Sequence, residues 1–177
     1  MINIIPYVET KKGWSIPDDH MIWIFTKMLK QGLVKKTFPA GLILTNHDWM
    51  ELVKNKAHIV HIITNEKTVV AVTWLSNIGH NHAFCHFCVF REGWGKSKHM
   101  ARELLKKLFS YKGHGGEPLF DVICGRTPAN NRLALKMLER VGFTIIGKIP
   151  DICLDVYDCG KVDAVFSYIK REATHGW

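Results

Sequence analysis

Between residues 58 and 90 the chain repeats one pattern three times, and this constrains the fold more than any other feature. HIVHIIT (58–64), TVVAVTWLSN (68–77) and HAFCHFCVF (82–90) are rich in β-branched and aromatic residues, with only NEK and IGHN between them. Strands joined so tightly form an antiparallel meander. The period then changes. In KSKHMARELLKKLFSY (96–111), Met100, Ala101, Leu104, Leu105, Leu108 and Phe109 recur at helical spacing and make one apolar stripe. After the loop KGHGGEP a new strand run follows, LFDVICGRT (119–127). A strand, a helix and a strand in series form a crossover, so strands near 83–90 and 118–126 are expected to run parallel.

The rest of the chain completes a mixed α/β order. Residues 2–8 read as a strand. Residues 17–31 read as a helix, opened by Pro17 and the Asp18–Asp19 pair and closed at Gly32. A shorter helix is expected over 47–56 with Asn46 as its cap. In NNRLALKMLERVGF (130–143), Leu133, Ala134, Met137, Leu138 and Val141 form one face to be buried. An asparagine is a good helix start, and Gly142 stands where a left-handed terminator is needed. Strands over 143–150 and 163–171 close the chain. We therefore expect a single α/β domain spanning residues 1–177, with a largely antiparallel sheet and one parallel pair.

Composition narrows the function classes. The chain has 177 residues, 47% of them hydrophobic, and no run approaches the roughly 18 apolar residues of a membrane span. The first residues, MINIIPYVETKKGW, lack the basic start and apolar core of a secretory signal. A cytoplasmic protein without membrane partners is expected. The five cysteines, 85, 88, 124, 153 and 159, have mostly apolar neighbours and read as reduced, buried thiols. Cys85 and Cys88 have CxxC spacing, but on a strand residues three apart face opposite ways, and no second CxxC completes a zinc site. The net charge of +8 points to an anionic partner, either a nucleic acid or a phosphorylated cofactor. Lys96, Lys98, Arg102, Lys106 and Lys107 concentrate that charge in one segment.

Element order and motifs together resemble the GNAT N-acetyltransferase superfamily. Members end a strand in a loop of the form Arg/Gln-x-x-Gly-x-Gly/Ala that opens a helix and holds the pyrophosphate of acetyl-CoA. Here Val89-Phe-Arg-Glu-Gly-Trp94-Gly95-Lys96-Ser97 stands in that place. Gly95 and Lys96 match, whereas Trp94, Ser97 and His99 replace the Arg/Gln, the first motif glycine and the last Gly/Ala. The later pattern Asn-x-x-Ala/Ser with a terminal Gly-Phe is held by Asn131, Ala134, Gly142 and Phe143. Within the superfamily, GRTPANN, Leu138 and the FTIIGKIPD tail bring the chain nearest the ribosomal-protein N-terminal acetyltransferase branch and phage-encoded GNAT-like proteins.

The resemblance implies a mostly antiparallel sheet with helices on both faces and a splayed parallel pair. It implies acetyl-CoA and an amine acceptor (a protein N-terminus or a small molecule) as ligands, and it allows a homodimer; nucleic acid is not expected. Trp94, Gly95, Lys96, Ser97, Lys98 and His99 would surround the pyrophosphate. Main-chain groups of Phe87 and Val89, with Asn131, would hold the pantetheine arm. Many members carry a tyrosine acid seven residues after the motif asparagine, where this chain has Leu138, a core residue by its position on the stripe. Tyr157 is the substitute considered. For the base, His86 has a suitable range near neutral pH, although regular alternation puts Ala83 and Cys85, not His82 and His86, on the expected face. The alternative is a catalytically degenerate GNAT-fold binding or structural protein.

Overall fold

The computed structural model describes residues 1–157 and 160–177. The chain runs as β1 (Ile2–Tyr7), a two-residue hairpin of β2 (Glu9–Thr10) and β3 (Gly13–Trp14), α1 (Asp18–Lys30), α2 (Val34–Thr37) and α3 (Asn46–Lys54). The meander follows as β4 (Ile59–Asn65), β5 (Thr68–Ser76) and β6 (His82–Val89). A 3-10 stretch, Arg91–Lys96, leads into α4 (Ser97–Phe109), then come β7 (Val122–Pro128), α5 (Arg132–Val141), β8 (Thr144–Asp155) and β9 (Gly160–Lys170). Seven strands form one sheet in the order β1-β4-β5-β6-β7-β9-β8, and only β6 and β7 pair in parallel.

Two apolar cores sandwich this sheet. On one face α1 and α3 bury Met21, Ile24, Phe25, Met28 and Trp49 against Val60, Ile62, Val72, Trp74, Cys88 and Phe90. Trp49 lies at its centre, fully buried, with its indole N–H donating to the Met21 carbonyl at 2.9 Å and its ring stacked on Phe25. On the other face α4 and α5 bury Met100, Leu104, Leu105, Leu108 and Val141 against Ile63, Ala71, Leu75, Ala83 and Ile123. Each large side chain withdrawn from water contributes about 1.5–3 kcal/mol. Cys85 packs with the second core and Cys88 with the first, as strand alternation requires. The four described cysteines are free thiols, and Cys159 lies outside the described residues.

Several details differ from the sequence reading. Thr45, not Asn46, caps α3: its hydroxyl accepts the Asp48 N–H at 3.2 Å while Asp48 accepts the Thr45 N–H at 2.8 Å, a reciprocal box. Leu133 is 72% exposed, whereas Leu138 and Val141 are buried. β8 extends past Pro150 to Asp155 through two register shifts. It is one of the sheet's two outer strands, exposed along Thr144–Ile152, so it shows none of the alternation that marks a half-buried strand. The α5 end behaves as its sequence suggests: Gly142 has φ 105°, and Phe143 N–H reaches the Leu138 carbonyl at 3.0 Å.

Candidate functional site

β6 and β7 are in register only at His82–Val122, Ala83–Ile123 and Phe84–Cys124. Past that rung they part. β6 continues along β5 as far as Val89, and β7 continues along β9 as far as Pro128. The wedge between them is a slot walled by main chain. Both strands pass into helices at this end, β6 through Arg91–Lys96 into α4 and β7 through residues 129–131 into α5. Parallel strands therefore bring both helix N-termini to the slot, where leading N–H groups and the helix dipole favour an anion.

The two helix starts are built differently. Lys96 occupies the α4 N-cap position with no side-chain cap, and the Ser97 hydroxyl donates backward to the Trp94 carbonyl at 3.1 Å. Lys96, Lys98 and His99 are exposed. In α5, Asn131 accepts the Ala134 N–H at 3.3 Å, so the helix caps itself. Trp94 is exposed, and its indole N–H donates to the Val89 carbonyl at 3.2 Å, tying the loop to the end of β6. A Cβ at Gly95 would meet nothing within 4 Å, so the fold places no steric demand for glycine there. The demanding glycine is Gly93, where a Cβ would lie 2.7 Å from the Val70 carbonyl and 2.9 Å from Met100.

A latch from α1 fixes the same loop, and sequence patterning gave no sign of it. Gln31 accepts the Arg91 N–H at 2.8 Å and donates to Glu92 at 3.0 Å. Lys27 lies 3.1 Å from Glu92 and donates to the Val69 carbonyl at 2.9 Å. The Gln31 hydrogen bond leads the effects that hold the Glu92 carboxyl below its ordinary range.

The faces of the slot follow from register. Past the Phe84–Cys124 rung, the next side chains on that same face are His86 and Arg126, one on each wall. His86 stacks on Trp74 with centroids 4.9 Å apart and 5° between planes, and its Nε2 shares a hydrogen bond with the Ser76 hydroxyl at 2.8 Å. Burial, then the charges of Arg126 and His58, push the His86 pKa down to about 4, so the ring is neutral at pH 7. β6 pairs with β5 without a bulge, so Cys85, and not His86, stands on the face where the resemblance expects the base. His82 stays at the far end of the slot, its ring against Gly79.

On the opposite face Phe87 and Val89 pack with the second core. There Gly125 is buried and closely covered: a Cβ would stand 2.7 Å from Ser167 Oγ and 3.8 Å from Leu138. Leu138 is buried beside it, as its place on the helix stripe implies. Ser167 Oγ and Tyr157 Oη are buried without a hydrogen-bond partner among the described residues. Tyr157 lies under α2, with Lys35 Nζ 5.2 Å from its ring. This segment was not anticipated, because VKKT has no period of its own and is held by contacts. The Thr37 side chain neighbours the Cys88 thiol, and the Val156 N–H reaches the Pro39 carbonyl at 2.9 Å. Residues 34–41 therefore run from the end of β6 to the β8–β9 connection. Among the described residues there is no grouping of side chains suited to a metal ion.

No family model and no curated protein sequence matches the chain. Solved structures do. A spermidine N-acetyltransferase from Vibrio cholerae, in complex with CoA and spermine, is similar with a TM-score of 0.74 at 13% identity, over 98% of this chain and 97% of that one. The self-immunity acetyltransferase MccE, in complex with acetyl-CoA and AMP, has a TM-score of 0.68 at 13% identity, over 87% and 88% of the two chains. A probable acetyltransferase has a TM-score of 0.68 at 16% identity, over 97% and 94%. What these proteins share with this chain is the fold, and it is the GNAT acetyltransferase fold.

Proposed function

We propose that this protein is an acetyl-CoA-dependent N-acyltransferase that acetylates a primary amine, either a protein N-terminus or a small molecule. The observation that carries the reading is the parallel strand pair opening beside an uncapped, lysine-flanked helix N-terminus, in a fold whose solved neighbours hold CoA or acetyl-CoA. In this reading the turn around Trp94, Gly95, Lys96, Ser97, Lys98 and His99 receives the phosphates. Main-chain groups of Phe87 and Val89, together with Asn131, line the pantetheine arm.

Acetyl-CoA supplies an acetyl thioester, which an unprotonated amine converts to an amide and a free thiol, with one proton passing from nitrogen to sulfur. His86, its ring held by the Ser76 hydroxyl, is the group we assign to take a proton from the incoming ammonium through water; with its pKa lowered to about 4 it is a weaker base than an ordinary histidine. Beside Leu138, which leaves this position without an acid, Ser167 carries a buried hydroxyl with no hydrogen-bond partner among the described residues.

We place the protein nearest the ribosomal-protein N-terminal acetyltransferase branch and phage-encoded relatives, on GRTPANN, Leu138 and the FTIIGKIPD tail. It works as a single domain over residues 1–177, in the cytoplasm; no described helix is long and apolar enough to cross a membrane. The exposed apolar edge of β8, with Ile146 67% exposed, supports a homodimer.

The test is free-thiol release from acetyl-CoA across a panel of peptides and small amines, beside calorimetry with CoA. Acceptor-dependent thiol release supports the reading, and no CoA binding at low salt overturns it. A second reading, a GNAT-fold binding protein without catalysis, is favoured by one observation, the buried leucine at position 138. CoA binding with no acceptor-dependent thiol release would select it.

A further inference from the structure

The face of the slot that carries His86 is cationic. Arg126 is exposed on β7, directly across the wedge from His86. No ion pair among the described residues uses Arg126, Lys35 or Lys36. Lys35 sits over the Tyr157 ring, on the segment that spans from β6 to the β8–β9 connection. His58 adds to the field felt by His86. Among the described residues the acidic group on this side is Asp155, which is 7% exposed, accepts from the Asn130 side-chain amide at 3.1 Å, and accepts from the Tyr157 N–H at 3.2 Å. Its carboxylate is turned to the chain's own loops.

An acceptor that meets His86 on this face meets the field of these cations. A polyamine, which is cationic along its whole length, is repelled there by Arg126 and Lys35. An amine with a carboxylate or phosphate a few bonds from its nitrogen is drawn in and oriented. The planar guanidinium of Arg126 can take the oxyanion in a bidentate pair, leaving the amine to face His86. We propose that the acceptor is a primary amine carrying an anionic group, and that Arg126, assisted by Lys35, is the residue that selects it. This rests on the reading of the slot as an acetyl-transfer site, and it separates the chain from the fold neighbour crystallised with spermine.

The experiment is calorimetric binding of four amines to the full chain, with and without CoA: ethanolamine, β-alanine, O-phosphoethanolamine and spermidine. We expect β-alanine or O-phosphoethanolamine to bind at least tenfold tighter than ethanolamine, and spermidine to bind no better than ethanolamine. Comparing the first two tells whether the anion is a carboxylate or a phosphate. In Arg126→Gln the preference should fall toward one, and Arg126→Lys should retain part of it; because Arg126 is exposed, both variants should unfold at the wild-type temperature. Tighter binding of spermidine, equal binding of all four, binding of none, or a preference that survives Arg126→Gln would overturn the proposal. Failure of CoA to bind would instead count against the transferase reading, since the amine arms are also read without CoA.

Discussion

The two faces of the opened strand pair differ by one residue step in sequence and by almost everything in chemistry. Cys85, Phe87, Gly125, Leu138 and Ser167 make one face, packed under α4 and α5. His86, Arg126, Tyr157 and Lys35 make the other, with titratable and cationic groups. Because side chains alternate on a strand, adjacent residues serve opposite surfaces. In this account the apolar face and the slot backbone receive an acyl carrier, and the cationic face receives the amine. The contrast teaches that a one-residue shift of β6 would exchange the two faces, so the proposed roles depend on the unbulged β5–β6 register.

Substitutions on either face should separate these roles. The largest effect is expected at His86. His86→Ala should lower acceptor-dependent thiol release by roughly 10²–10⁴-fold, the usual range for loss of a general base, with CoA affinity unchanged in calorimetry. A parallel loss of CoA affinity would merge the two faces.

Acid should weaken both faces. His61 is fully buried on the α4 side, its Nε2 hydrogen-bonded to the Tyr111 hydroxyl, and burial followed by the charge of Lys107 pushes its pKa down to about 4. His86 on the other face is lowered to about 4 as well. Both folded values lie below the ordinary 6.5, so between these limits the unfolded chain binds more protons. Stability is then full above pH 6.5 and falls as pH drops toward 4, at up to about 1.4 kcal/mol per pH unit for each histidine. Urea melts across this range should show the fall, and His86→Gln should flatten part of it. A profile level from pH 7 to 4 would contradict the burial of both rings.

Gly125→Val sharpens the contrast from the apolar side. The added branches meet Ser167 and Leu138, so a stability loss of about 1–3 kcal/mol is expected from overpacking, together with weaker CoA binding. The smallest effect is expected at Asn131: Asn131→Ala removes the α5 cap and should cost about 1 kcal/mol in urea melts.

What was legible in the sequence was whatever carries its own period. Met100 through Phe109 displayed a complete helix stripe, and every one of its six apolar positions is buried. The parallel β6–β7 pair followed from strand, helix and strand in series. Features that depend on distant partners were not readable: the α2 segment held by Cys88 and Val156, the Gln31–Glu92 latch, and the demand at Gly93 for space against Val70. At the slot, His86 could be singled out as a residue type. Its placement across from Arg126 needed the rung Phe84–Cys124, which only the sheet register supplies.

The central claim is that the wedge between β6 and β7 is a CoA site, and titration of CoA into the full chain by calorimetry tests it most directly. The account predicts one CoA bound per chain at low salt, with affinity falling as salt screens the phosphates from Lys96 and Lys98, and with binding weakened in Gly125→Val. No heat and no CoA-dependent rise in unfolding temperature at low salt would contradict it.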